Sequence, residues 1–179
     1  MRIEKIAKAH PAAIVLREKD LSPEEYGKLA KSVSEICKKH NTYCIFHAFA
    51  DVARDMGVDA IHLPITMLKS LSEGERKSFV TLGASCHSVE DAVLAERLGC
   101  TYITAGHVFE TDCKRGLPPR GLEFLREVCN SISIPVYAIG GINQNNYTSA
   151  IDAGAKAVCV MSGAMTCSEP QIYFNGFKA

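Results

Sequence analysis

Short apolar runs recur along the chain at intervals of roughly 20 to 25 residues, each followed by a polar or glycine-containing turn and then a stretch of helical period. The runs are Ala12 to Leu16, Tyr43 to Phe46, Ala60 to Leu63, Phe79 to Ala84, Tyr102 to Ala105, Pro135 to Ile139 and Ala157 to Met161, which predicts seven strands. They are mostly apolar and often rich in Val and Ile, as strands buried on both faces of a parallel sheet must be, so helices are expected to cover one side or both. Helix starts are legible at Ser22-Pro23-Glu24-Glu25, where a capping serine precedes proline at the first position, and at Ser88-Val89-Glu90-Asp91, which resembles a capping box. Glycines at Met56-Gly57, Leu98-Gly99 and Ala153-Gly154 mark helix ends, the last closing a helix expected from Asn143.

This βα repetition fits an open doubly wound sheet or a closed barrel, and the pattern alone does not separate them. In a barrel, functional residues gather at the C-terminal ends of strands and in the loops that follow, which is where the unusual residues of this chain lie.

Composition narrows the partners. The chain has 179 residues, 47% apolar and 22% charged, with 20 Lys plus Arg against 20 Asp plus Glu. That length suits one domain spanning 1–179, and the charge balance provides no overall positive field for nucleic acid or anionic lipid. Nothing approaches the ~20 consecutive apolar residues of a membrane span. The eight cysteines form no CxxC pair and no zinc-type spacing, and no leader precedes them, so we expect reduced cytoplasmic thiols and no metal site.

Candidate chemistry begins where the first strand runs into Arg17-Glu18-Lys19-Asp20. Arg17 and Lys19 share a face and suit a phosphate or carboxylate, unless Glu18 and Asp20 pair with them on the surface. The turn Ile139-Gly140-Gly141-Ile142-Asn143 and the end of the last strand, Val160-Met161-Ser162-Gly163, put glycines where backbone N–H groups can face an anion, although tight βα turns use glycine too. The loop from Gly106 to Gly116 concentrates an imidazole, two acids, a thiol and cations. His107 can take and return a proton near neutral pH, and Gly106 beside it lets a substrate approach the backbone. Cys113 has only acids nearby and is not expected to act as a nucleophile. His47, His62 and His87 lie at or near strand ends and are candidates to line the same cavity, with His62 equally readable as a core residue.

Three segments, Leu16-Arg17-Glu18-Lys19, Gly106 to Lys114 and Ala138-Ile139-Gly140-Gly141-Ile142, together resemble the thiamin phosphate synthase and thiazole tautomerase superfamily, with Ile61-His62-Leu63 and Ser85-Cys86-His87-Ser88 fitting in the same order. The resemblance runs from about Pro11 to Pro170 and implies a TIM-type (β/α)8 barrel. Synthases of this superfamily bind Mg-pyrophosphate through two aspartates, whose matching positions here are Ala48 and Met67. They also carry proline and a second threonine where this loop has His107 and Cys113, while Thr111 and Lys114 are retained. Gly-His-Val-Phe-Glu-Thr-Asp-Cys-Lys is similar instead to the TenI-type tautomerase branch, in which the loop histidine is the acid/base.

By that resemblance the expected activity is an isomerase. A small phosphorylated thiazole carboxylate would be aromatised by His107, with its phosphate against Gly140, Gly141, Met161, Ser162 and Gly163. Arg17, Lys19, Thr111 or Lys114 would bind phosphate or carboxylate. No cofactor is implied. The alternatives are thiamin phosphate synthase, with Mg2+, and a non-catalytic phosphate-binding relative. The chain starts in what resembles the first crossover helix, Arg2 to Lys8, so the barrel is expected to lack its first strand and its last helix, with 171–179 an irregular tail. A start assigned too far downstream, a second copy covering the opening as a homo-oligomer, and a degenerate barrel all stay open.

Overall fold

A computed structural model of the chain describes residues 2–177. Its elements, in chain order, are α1 (Arg2–Ala7), β1 (Ala13–Leu16), α2 (Pro23–Lys39), β2 (Tyr43–His47), α3 (Ala50–Asp55), β3 (Ala60–Pro64), α4 (Ile65–Ser70), α5 (Glu73–Lys77), β4 (Thr81–Cys86), α6 (Val89–Arg97), β5 (Tyr102–Gly106), a 3-10 turn (Asp112–Lys114), α7 (Gly121–Ser131), β6 (Val136–Ile139), α8 (Tyr147–Asp152), β7 (Ala157–Cys159), α9 (Ser162–Thr166) and α10 (Pro170–Asn175). The chain groups into two compact units, Met1–His62 with Ser162–Ala179, and Leu63–Met161. Among the described residues no helix is long and apolar enough to cross a membrane.

In the first unit, β1 runs parallel to β2 with Ala13 opposite Tyr43 and Leu16 opposite Phe46, and β2 runs parallel to β3 with His47 opposite His62. The α2 helix buries Tyr26, Ala30, Val33 and Cys37, a spacing that keeps one stripe of the helix inward. Its start is the expected serine cap, completed as a full capping box: the Ser22 side chain accepts from Glu25 N, and the Glu25 carboxylate accepts from Ser22 N. Burial is complete along Ala60 to Leu63 in β3, as a strand covered on both faces requires. Arg2 Nε donates to the Ala164 carbonyl at 3.0 Å and ties α1 to α9. Residues 171–175, expected as part of an irregular tail, form α10 instead. Pro170 opens that helix at its first position, and Tyr173 packs edge-on against Phe174 and Phe177, with ring centroids 5.5 and 5.3 Å apart. The tail's residues 178 and 179 lie outside the described residues.

In the second unit β4, β5, β6 and β7 pair in that order, all parallel, with Gly83 opposite Tyr102, Ile103 opposite Val136 and Tyr137 opposite Ala157. The Tyr102 ring crosses Gly83 so closely that a Cβ there would land on it. Glu96 at the end of α6 accepts from Ser133 N and Oγ, both at 2.7 Å, which fixes the approach to β6. Ser88 caps α6 by accepting from Asp91 N. The reciprocal bond of a full box is displaced by one residue, because the Asp91 carboxylate accepts from His87 N.

Two expected boundaries move for local reasons. Phe79 N donates to the Arg76 carbonyl and closes the α5 turn, so β4 starts at Thr81 and not at Phe79. Asn143 N donates to Asn146 Oδ1 while Asn145 N donates to Asn143 Oδ1, both at 2.8 Å. That turn postpones α8 from Asn143 to Tyr147. The three helix-closing glycines, Gly57, Gly99 and Gly154, all have positive φ, the conformation that glycine enters without a Cβ penalty.

Candidate functional site

The second unit holds a cavity of about 380 Å³ lined by His87, His107, Lys114, Leu117, Pro118, Pro119 and Arg120. Two loops make it. β4 ends at Cys86 and delivers His87 to the rim. β5 ends at Gly106, from which the chain continues through a cis peptide bond into His107. The two histidines hold complementary tautomers. A carbonyl oxygen can only accept, so His87 Nδ1–H donates to Gly106 O at 2.7 Å and its Nε2 carries a lone pair. His107 Nε2–H donates to Leu117 O at 3.3 Å and leaves Nδ1 as the basic atom. The cavity therefore combines two proton acceptors with the cationic side chains of Lys114 and Arg120, a lining suited to a polar, anionic ligand.

Arg120 escaped the sequence reading. Its N–H donates to the His107 carbonyl at 3.0 Å, and Gly121 N donates to Val108 O, so the Leu117 to Gly121 segment is laced to the β5 loop. The available signal was Pro118-Pro119-Arg120-Gly121, two rigid residues and a cation directly before a helix. The Thr111 side chain accepts from Cys113 N at 3.4 Å and caps the 3-10 turn, which occupies one of its lone pairs. Cys113 is exposed, and Arg115 pairs with Asp112 at 3.0 Å on the surface.

The glycines of this unit serve close packing. A Cβ on Gly106 would strike the Ile139 carbonyl oxygen, one on Gly140 would overlap the His107 Cβ, and one on Gly141 would meet the Glu110 carbonyl oxygen. Gly106, expected to admit a substrate, thus lies against β6. Gly140 and Gly141 lie under the 107–110 stretch, held by Val108 N to Ile139 O and Phe109 N to Gly140 O, both 3.0 Å. Met161, at the end of this unit, is 53% exposed. Ser162 and Gly163 open the five-residue α9 in the first unit, where a Cβ on Gly163 would meet the Tyr173 hydroxyl.

Arg17, Lys19, His47 and His62 belong to the first unit. In-register pairing places His47 and His62 side by side at the ends of β2 and β3, their rings stacked with centroids 5.8 Å apart and an interplanar angle of 24°. Burial, then the positive charges of Arg17 and Lys19, hold His47 down at about 4; burial, then His47 and Arg17, hold His62 at about 3. Both are neutral at ordinary pH. Tyr26, which the sequence reading did not single out, ties the strands beneath them: its hydroxyl donates to Leu16 O and accepts from His47 N. Arg17 and Lys19 are exposed, and among the described residues neither forms an ion pair, so Glu18 and Asp20 leave them available.

A metal is poorly served. Ala48, directly after His47 at the end of β2, carries an alkyl side chain that supplies no oxygen ligand. Among the described residues, no group of three or more His, Cys, Asp or Glu side chains could hold a metal ion.

Comparison with known proteins resolves the family. The chain is 33% identical over 169 residues to the thiamine-phosphate synthase of Fusobacterium nucleatum, covering 92% of this chain and 80% of that one. It is 35% identical over 159 residues to the thiamine-phosphate synthase of Coprothermobacter proteolyticus, covering 86% and 74%. The structure of thiamine phosphate pyrophosphorylase from Pyrococcus furiosus superposes with a TM-score of 0.84 at 27% identity, covering 98% of this chain and 85% of that one. These likenesses support the expected TIM-type α/β fold. They overturn the expected tautomerase, because these relatives, matched over most of the chain, are named as synthases; the histidine-bearing loop was too local a motif to outweigh them. A family model described as thiamine monophosphate synthase matches residues 1–164, and the chain belongs to that family, TMP-TENI.

Proposed function

We propose that this chain is a cytoplasmic thiamine-phosphate synthase, a transferase that moves a pyrimidine group from its pyrophosphate to a thiazole phosphate and releases pyrophosphate. The observation that carries this reading is the identity to named synthases over most of the chain. The geometry supports it by offering cations that, among the described residues, form no ion pair. Arg17 and Lys19 suit the pyrophosphate, and Lys114 and Arg120, beside His87 and His107, suit the phosphorylated thiazole. In this reading His107 Nδ1 accepts a hydrogen bond from substrate. Mg2+ would neutralise pyrophosphate charge in such a reaction, but Ala48 beside His47 offers it no carboxylate, and these cations carry that charge here.

The test is incubation of the full chain with the pyrimidine pyrophosphate and the thiazole phosphate, with and without Mg2+, following thiamin phosphate. Product in either condition supports the reading, and its absence in both overturns it. The absence of a carboxylate at Ala48 favours a second reading, a phosphate-binding relative without turnover. Calorimetry showing tight binding of thiazole phosphate by a chain that forms no product would establish it.

A further inference from the structure

We propose that the first unit carries a pyrophosphate site that works without a metal ion, with Arg17 and Lys19 supplying the charge and the neutral His47 imidazole beside them. The inference deepens the synthase reading and rests on it for the choice of anion.

Four observations carry it. First, the two cations end β1 without ion-pair partners among the described residues, although long cationic side chains on a surface commonly find one. Second, both cations follow directly on β1, whose last residue Leu16 pairs with Phe46 beside His47, and their charges act on His47. Third, the residue following His47 is Ala48 at φ 68, with its N–H bonded to the His62 carbonyl. That left-handed conformation is one that Asp or Asn enters readily and Ala does not, so a carboxylate would fit the backbone here and is nevertheless missing. Fourth, among the described residues no other cluster of metal ligands compensates.

Two exposed cations with no cluster of metal ligands among the described residues favour a polyanion over a divalent cation. Guanidinium and ammonium groups then do what a metal does elsewhere: they offset negative charge and donate to phosphoryl oxygens. His47, neutral at the end of β2, adds a polar group without adding charge.

The experiment is calorimetric titration of the full chain with inorganic pyrophosphate, in EDTA and again in Mg2+. Binding in EDTA is expected, with an affinity that Mg2+ changes less than about threefold, and Arg17→Ala with Lys19→Ala is expected to weaken it at least about tenfold. Both replaced side chains are exposed, and an unchanged thermal midpoint certifies the fold. Ala48→Asp, with Ala48→Asn as its uncharged control, is expected to weaken binding in EDTA and recover it in Mg2+, while the Asn variant follows the parent. Binding that requires Mg2+ in the parent chain, or that survives loss of both cations, overturns the proposal. Mg2+-dependent binding together with product formation would remove this inference and leave the synthase reading standing. Metal-free binding with no product under any condition would do the reverse.

Discussion

The Tyr26 hydroxyl donates to the Leu16 carbonyl at 2.8 Å and, fully buried, also accepts from His47 N at 3.1 Å. One side chain of α2 therefore satisfies a backbone acceptor at the end of β1 and a backbone donor at the end of β2, one residue before Arg17 and at His47 itself. Tyr26→Phe keeps the ring against Phe46 and Phe49 but strands both backbone groups. Leaving buried polar groups unpaired costs about 1 to 3 kcal/mol. Denaturant unfolding should show that loss with an unchanged slope, and pyrophosphate affinity should fall as well. A variant with parental stability would mean that the bridge contributes nothing.

The stacked histidines set a pH dependence. In the folded chain His47 is held at about 4 and His62 at about 3, whereas an unfolded histidine titrates at about 6.5. As pH falls below that unfolded value, the unfolded chain takes up two protons that the folded chain refuses, so stability is present above pH 6.5 and is lost as pH drops toward 4. The slope is about 1.4 kcal/mol per pH unit for each group. Carboxylates titrate lower, which leaves pH 6.5 to 5 as the diagnostic window. Thermal midpoints should fall steeply across it, and His47→Phe should flatten the fall. An equally steep fall in that variant would assign the dependence to other groups.

Ala48 offers a simple stabilisation. Its φ of 68 places a Cβ in the left-handed region, at a cost of roughly 1 to 2 kcal/mol, while glycine gives back about 0.5 to 1 kcal/mol through the entropy of the unfolded chain. Ala48→Gly should therefore gain about 0.5 to 1 kcal/mol, seen as a rise of roughly 1 to 4 °C in the melting temperature. A lower midpoint would show that the alanine methyl makes contacts worth more than the strain.

Much of the fold was legible because its elements are local. All seven strands lie within the predicted apolar runs or one or two residues from them, and the Ser22 box and the glycines at 57, 99 and 154 act as their chemistry dictates. The short α9 and α10 carry no long apolar stripe, so periodicity did not find them, and α3 was marked by its closing glycine alone. Site residues divided the same way. His107 and Lys114 stood out as chemistry concentrated in one loop. Tyr26 reads as one more apolar position on an amphipathic helix, and only the tertiary fold shows that its hydroxyl reaches two strand ends. The Gly106 loop misled for a related reason: its motif describes about ten residues, and the family is decided by similarity spread over the whole chain.

Gly106 provides the sharpest test of how the β5 and β6 ends pack. In-register pairing sets Gly106 opposite Ile139, and the Ile139 carbonyl oxygen occupies the space a Cβ would need. Backbone cannot swing aside as a flexible side chain can, so Gly106→Ala must displace a strand end or lose the Val108 N to Ile139 O bond that seats the His107 loop. Overpacking of this kind costs about 3 kcal/mol. The loss should be read out by denaturant unfolding, with the His87 bond to the Gly106 carbonyl disturbed in step and any turnover reduced through binding and rate alike. Parental stability and activity in Gly106→Ala would mean that the two strand ends lie farther apart than described and that the glycine serves substrate access after all.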